Sequence, residues 1–489
     1  MTMNLHRLLS QRATEQRPLR VALIGAGKFG SMFLAQAGRT PGIHLVAVVD
    51  LMPRRARDRL ARVGWSAEQF AAETIADATK HGTTCILDDP LAAIGSSEVE
   101  IVIEATGSPT AGIRHALACC AHGKHIIMVN VEADALAGPL LARRAAQAGI
   151  IYSLAYGDQP ALICELVDWT RAAGFEVIAA GKGTKYLPAY HESTPDTVWG
   201  HYGFTPEMVA QGDFNAQMFN SFLDGTKSAI EMAAVANATG LTPSPEGLSF
   251  PPCSSDELPQ VLKPRSAGGV LHHARQVEVT SSLSRDGREV PRNLRWGVYT
   301  TFAADSDYVR RCFREYGLVT DDSGNFAGMY RPYHLVGLEL GISVAAVGLR
   351  REPTGAPTGF RGDVVATAKR DLKSGEHLDG EGGSTVYGRL MPAADSLARE
   401  GLPIGLAQGV KLTRPVAKHR PLTWQDVATI RSEAARFRRE MEAVFSKEAG
   451  VREKGSASAS EQRVAISDSS RAGITESTTD EPPSRHSEA

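Results

Sequence analysis

Strands alternating with helical segments predict an α/β fold, built on a doubly wound parallel sheet and continued by an α+β domain and a small C-terminal β-rich module. Three observations carry this. Gly25-Ala26-Gly27-Lys28-Phe29-Gly30 lies between the apolar run Arg20–Ile24 and the helix-forming segment Ser31–Gln36. A second apolar run, Leu45–Val49, ends in Asp50. Further strand-like runs then recur between alanine-rich helical stretches.

The glycine run gains its meaning from that context. In strand, glycine turn, helix, strand and acid, the first glycine (Gly25) makes the tight turn, the second (Gly27) lets backbone approach a pyrophosphate, and the third (Gly30) packs helix on strand. The helix that begins here offers unpaired N–H groups and the positive end of its dipole to phosphates. Asp50 is placed to accept from a ribose hydroxyl and to repel a 2′-phosphate, which favours NAD. Arg54 and Arg55, just beyond, suit a 2′-phosphate, so NADP is the alternative. The expected cofactor contacts are therefore Gly25, Gly27, Lys28, Phe29, Gly30 and Asp50.

A chain of 489 residues exceeds one core and implies several domains. Its 53 Lys and Arg balance 55 Asp and Glu, so no overall field attracts nucleic acid or an anionic membrane. Six cysteines without C-x-x-C spacing read as reduced thiols in a cytoplasmic protein. No apolar run approaches the roughly 18 residues of a membrane span. The expected partner is a small-molecule substrate.

Along the chain, Pro53–Arg62 and Ala67–Lys80 read as helices, and Thr84–Leu87 and Val99–Ile103 as strands. Gly112–Ala121 is a helix and Ile126–Val129 a strand. Thr106, Gly107 and Asn130 fall at strand ends, where a doubly wound sheet holds its ligand, and are assigned to the nicotinamide half of the site. Ile150–Leu154 completes the sheet, so residues 1–158 form the dinucleotide-binding domain. Residues 159–358 form an α+β substrate domain, with a helix at Ala161–Ala173, a strand at Phe175–Ala180, helices at Pro206–Leu223 and Thr226–Ala238, and strands at Gln276–Thr280 and Gly297–Phe302. Within it the apolar segment 335–350 is expected to pack back on the first domain. Residues 359–447 hold short strands at Asp363–Lys369, Leu378, Thr385–Leu390 and Gly409–Leu412, then an amphipathic helix, Trp424–Phe445. Residues 448–489, rich in Ser, Glu, Thr and Arg, are expected to be disordered.

Hydride transfer is cofactor chemistry, so the protein must position substrate and move one proton. Three groups suit that work. Lys182, between two glycines at a strand end, can approach a carbonyl or phosphate. Asp224 caps a helix whose first turn carries Lys227, with Glu231 one turn on; a lysine there opposes the helix dipole. Arg331 and His334 flank a stiffening proline and suit an anionic group. Each has a bland reading as well: a solvated loop lysine, a Lys–Glu surface pair, a structural arginine. Glu132 and Asp134 rank lower, and no His, Cys or Asp spacing argues for a metal.

Val21–Gly30, Glu104-Ala105-Thr106-Gly107 and Gly123–Asn130, with Asp224, Gly225 and Lys227, resemble homoserine dehydrogenases. That family places a lysine after the asparagine ending its fifth strand, where this chain has Val131. A closer resemblance is to the deoxyxylulose-phosphate-reductoisomerase-like branch, through Asn130–Asp134, Ile151–Leu154, Ala180–Gly183, Glu231–Ala234, Ala236–Leu241 and Arg331–Leu335. It covers about Leu5 to Gln408. It implies a Rossmann domain, a C-terminal SAF-like module, a homo-oligomer, and an NAD(P)-dependent oxidoreductase acting on a small polar hydroxy or carbonyl compound, with phosphorylated compounds included. A ketose-phosphate reductoisomerase, which would need a divalent metal, and a non-catalytic dinucleotide sensor are the alternatives.

Overall fold

A computed structural model describes residues 4–211 and 214–448. After an N-terminal helix, α1 (Leu5–Thr14), the chain lays down β1 (Leu19–Ile24), α2 (Lys28–Ala37), β2 (Ile43–Val49), α3 (Pro53–Arg62), α4 (Ile75–His81), β3 (Cys85–Leu87), α5 (Pro90–Gly95), β4 (Ile101–Glu104), α6 (Pro109–His122), β5 (His125–Met128), α7 (Val131–Gln147) and β6 (Tyr152–Leu154). The six strands form one parallel sheet in the order β3-β2-β1-β4-β5-β6. The order reverses between β1 and β4, and the crevice at that switch point is where such sheets bind ligands. The strands are apolar on both faces because helices cover both.

The second domain opens with α8 (Gln159–Ala172) and β7 (Glu176–Thr184). Short helices α9 (Val198–Tyr202), α10 (Pro206–Gln211) and α11 (Ala216–Leu223) precede α12 (Thr226–Thr239), and α13 (Leu258–Val261), β8 (Gln276–Ser281), β9 (Val298–Ala303), α14 (Asp307–Glu315) and β10 (Phe326–Arg331) follow. A mixed sheet runs β10-β9-β7-β8. From Ser228 to Asn237 every residue of α12 is buried, as expected for a helix with no polar face. It packs on α7 and α8 and on two strands of the next module.

The apolar segment after Arg331 forms α15 (Gly341–Ala345) and a π-helical turn, Ala346–Arg350, and Leu340, Val344, Ala345 and Val347 join Leu19, Val21 and Phe33 in the core of the first domain. The small module contains β11 (Gly362–Ala368), β12 (His377–Asp379), β13 (Val386–Pro392), α16 (Ala393–Arg399) and β14 (Gln408–Lys411), with β11 antiparallel to β13 and β12 to β14.

Four expected elements differ. Ala67–Lys80 is not one helix: a short 3-10 turn, Ala67–Phe70, gives way to an extended link before α4, which Thr74 caps by accepting from Asp77 N at 3.1 Å. Pro206–Leu223 is two helices, the second capped by Asn215. Trp424–Asp426 is a 3-10 turn held by reciprocal Thr423–Asp426 capping, and helix resumes at 433. The strand expected to stop at Ala180 continues to Thr184, which puts Lys182 inside a sheet instead of on a loop. Its glycines permit this. A Cβ on Gly181 would meet Glu278 O at 1.7 Å, and one on Gly183 would meet Leu294 O at 2.0 Å. Described residues through Met441 form one compact unit; 442–448, in a second, are helical. The tail expected to be disordered lies, from 449 on, outside the described residues. No described helix is long and apolar enough to cross a membrane.

Candidate functional site

The cofactor crevice is built at the C-terminal ends of β1, β2, β4 and β5. Gly25 has φ +99°, and a Cβ there would lie 2.6 Å from Ala105 O on the neighbouring strand end. A Cβ on Gly30 would stand 2.3 Å from Gly25 O, so α2 sits hard against the turn. Gly27 differs: nothing lies within 4 Å of where its Cβ would be. That open space stands before the first turn of α2, whose N-cap is Gly27 itself with no capping side chain, so the first N–H groups face outward from Lys28 and Phe29. Asp50 Oδ2 accepts from Ala26 N at 3.1 Å and Oδ1 from Met52 N at 3.0 Å, which fixes the carboxylate at the end of β2. An open pyrophosphate cradle beside a fixed carboxylate fits a dinucleotide.

The residues assigned to the nicotinamide half are woven together. Thr106 Oγ1 donates to Glu104 Oε1 at 2.5 Å, and the buried Glu104 also meets His115 Nδ1 at 3.1 Å. Gly107, at φ +70°, turns the chain with open space at its Cβ. Asn130 is 2% exposed; its amide donates to Ser108 O at 2.8 Å and its carbonyl caps α7 by accepting from Ala133 N at 3.1 Å. Its side chain therefore braces the β4 and β5 loops against each other.

Beyond Asn130 the first turn of α7 presents Glu132, and there the second domain arrives. Lys227, in the first turn of α12, forms an ion pair with Glu132. Lys182, from the middle of β7, forms a buried ion pair with Glu231, one turn further along α12. Asp158, which caps α8 by accepting from Gln159 N at 2.9 Å, feels Glu231, Lys227 and His334. Burial and then Glu231 push its carboxyl above the usual carboxylate range. Burial alone would lower the Lys227 ammonium, but Glu132, Glu231, Glu381 and Asp158 together raise it above the ordinary lysine value, so it stays charged. Glu381, from the small module, is pushed up to about 7 by burial and by Glu132.

Asp224 was expected beside Lys227. It is instead fully buried at the end of α11, where Oδ1 accepts from Thr226 N at 2.8 Å and Oδ2 lies 2.7 Å from Lys369 Nζ of the small module. The helix start is thus set by Asp224, while the Lys227 side chain turns the other way, to Glu132. Arg331 pairs with Glu339 and donates to Tyr156 Oη at 3.4 Å; Tyr156 Oη in turn donates to Glu165 at 2.5 Å. His334 Nδ1 lies 2.7 Å from Trp296 O. Sequence reasoning passed over Asp158 and Glu381 and ranked Glu132 low. The signals available were the glycine-bounded turn before α8 and a lone acid inside Gly380-Glu381-Gly382-Gly383.

Three family models match successive parts of the chain. Residues 19–128 match an oxidoreductase family's NAD-binding Rossmann fold of the GFO/IDH/MocA type, residues 157–340 the catalytic domain of oxidoreductase DRL, and residues 363–428 the SAF domain. A search of curated proteins returns no match. Similar solved structures include an NAD-binding oxidoreductase from Klebsiella pneumoniae, with 19% identity, TM-score 0.26, and coverage of 36% of this chain and 45% of that one. Others are a myo-inositol dehydrogenase from Corynebacterium glutamicum (13%, TM-score 0.26, 37% and 49%) and a levoglucosan dehydrogenase in complex with NADH (17%, TM-score 0.26, 36% and 46%). The chain spans about half the length of each. The open glycine cradle and the fixed Asp50 lie in the segment that matches the NAD-binding Rossmann fold, and the chain carries, in order, segments that match this fold, the DRL catalytic domain and the SAF domain.

Proposed function

We propose that the protein is an NAD-dependent dehydrogenase or reductase of a small polar hydroxy or carbonyl compound, with Lys227 and Glu132 as the pair that handles the substrate oxygen. One observation carries this reading: Glu132, in the first turn beyond β5 where a doubly wound sheet places the nicotinamide, is met by Lys227 from α12, with the Lys182–Glu231 pair one turn further along that helix. Gly25, Gly27 and Gly30, with the N–H groups at Lys28 and Phe29, would hold the pyrophosphate, and Asp50 the ribose hydroxyls. The cofactor, when bound, supplies the hydride donor or acceptor.

The chain's own residues do the rest. The charged Lys227 donates to the substrate oxygen, which stabilises the alkoxide character that develops as hydride moves. Glu132 holds Lys227 in place and keeps the ammonium from being a bare buried charge. Lys182, on a strand narrowed by two glycines, offers a second donor. His334, near Asp158, and Arg331, held by Glu339 and Tyr156, border the same region from the β10 side and would orient the remainder of the substrate. Lys227→Ala should lower NADH-linked turnover by about 10²-fold or more while leaving NADH affinity within about threefold. Turnover at the wild-type rate would overturn the assignment.

A reductoisomerase acting on a ketose phosphate is the second reading. The motifs shared with the deoxyxylulose-phosphate-reductoisomerase-like branch support it, and most of them fall in or beside the segment matched by the DRL catalytic domain. It predicts divalent-metal dependence, so full turnover in excess chelator would dismiss it. Light scattering of the purified chain tests the homo-oligomer expected from the same resemblance.

A further inference from the structure

The SAF module reaches the site through one loop, residues 379–385. Gln217 Nε2 donates to the carbonyls of Asp379 (2.9 Å) and Glu381 (2.8 Å), Asn220 Nδ2 to Gly382 O (2.9 Å), and Lys369 Nζ to Gly383 O (2.6 Å). The Asp379 carboxylate closes the loop from inside, accepting from Ser384 N at 2.5 Å and Thr385 N at 3.0 Å. Gly382 has φ +66°, and a Cβ there would stand 2.0 Å from Gln217 O, so the loop lies directly on α11. At its tip Ser221 Oγ donates to Glu381 Oε1 at 2.6 Å.

This placement gives the two lysines four carboxyls: Glu132, Asp158, Glu231 and Glu381. A poorly hydrated site does not keep four carboxylates ionised against two ammonium groups. Glu132 and Glu231 are committed to Lys227 and Lys182. Glu381 has a neutral hydroxyl for its hydrogen-bond partner, and it faces Glu132 of α7, Lys227 of α12 and Asp224 at the end of α11, behind which stands Lys369. Resting on the reading of Lys227 and Glu132 as the working pair, we propose that the SAF module is a built-in part of the catalytic centre and that Glu381 is a positioning residue whose charge sets the field across Lys227–Glu132 and the nicotinamide pocket. The nicotinamide ring is cationic in NAD+ and neutral in NADH. An ionised Glu381 favours the oxidised cofactor; a protonated one removes that preference.

The test uses the full chain with NAD+ and NADH as probes and needs no substrate. Dissociation constants for both are measured by calorimetry between about pH 5.5 and pH 8.5, and the NADH-to-NAD+ ratio of constants should rise about three- to tenfold with pH as one carboxyl ionises. Glu381→Gln should flatten the ratio. Ser221→Ala, which keeps the carboxyl but removes a hydrogen bond favouring its ionised form, should move the midpoint to higher pH. Asp158→Asn should keep the wild-type midpoint. A pH-dependent ratio that survives Glu381→Gln, or that disappears in Asp158→Asn, overturns the proposal; a flat wild-type ratio does so as well. Lys227→Ala turnover at the wild-type rate would sink the working pair yet leave the ratio measurement readable, so the two failures are distinguishable.

Discussion

Lys369→Met tests whether Asp224 is a structural post between modules. The Lys369 side chain is 2% exposed and Asp224 fully buried, and their charged atoms lie 2.7 Å apart. Removing the cation leaves Asp224 in a site that already pushes its carboxyl up by burial, with the backbone N–H and the hydroxyl of Thr226 as hydrogen-bond partners. Breaking a buried pair in this way costs about 3–5 kcal/mol, because one charge is left uncompensated. The carbonyls of Ser193 and Gly383, which Lys369 also serves, retain Asn220 Nδ2 at 3.1 and 3.4 Å and so add little. The folding equilibrium should therefore weaken by about 10²- to 10³-fold or slightly more. Urea unfolding followed by tryptophan fluorescence, with ΔG extrapolated to water, reads this directly. Asp224→Asn combined with Lys369→Met should recover most of the loss. A single mutant within about 1 kcal/mol of wild type, or a double mutant no better than the single, would refute the argument.

Other outcomes follow from the same geometry. Gly25→Ala and Gly27→Ala should separate: the first meets Ala105 O at 2.6 Å with φ +99° and should lower stability by about 2–4 kcal/mol, while the second finds open space and should fold normally yet lose NADH affinity at least tenfold, as calorimetry would reveal. Asp50→Ala should weaken NADH binding and narrow its lead over NADPH; an unchanged preference would remove Asp50 from the ribose site. Glu278 is 1% exposed, and burial raises its carboxyl from 4.5 to about 7 despite hydrogen bonds from Val279 N and Ser249. The folded state therefore holds a proton that the unfolded state has released. Stability from this group is full below about pH 4.5 and declines, by about 3 kcal/mol, as pH rises to about 7. Glu278→Gln should remove that slope in denaturation curves recorded across the window.

The fold was legible where its cause is local. A strand, a glycine turn and a helix are specified within a few consecutive residues, so α3 was bounded correctly and the strands of the parallel sheet were placed within a residue or two. Elements failed where a cap or a partner strand decided. Ala67–Lys80 has helical composition, but Thr74 stops one turn and starts another. Gly181 and Gly183 read as a loop, yet they exist because neighbouring strands and Leu294 come too close for a Cβ.

By itself, then, the sequence determined the dinucleotide turn, its acid, the order of modules and the set of cations available for chemistry. Tertiary structure alone decided which carboxylate each cation meets. Lys227 had Glu231 four residues away on its own helix, the pairing that helical geometry favours, and instead reaches Glu132, 95 residues away; Glu231 turns to Lys182, 49 residues away. The physical reason is range. Backbone conformation is set by steric and hydrogen-bonding terms acting over three or four residues, whereas a buried charge takes the partner that packing delivers, because leaving it unpaired costs several kcal/mol.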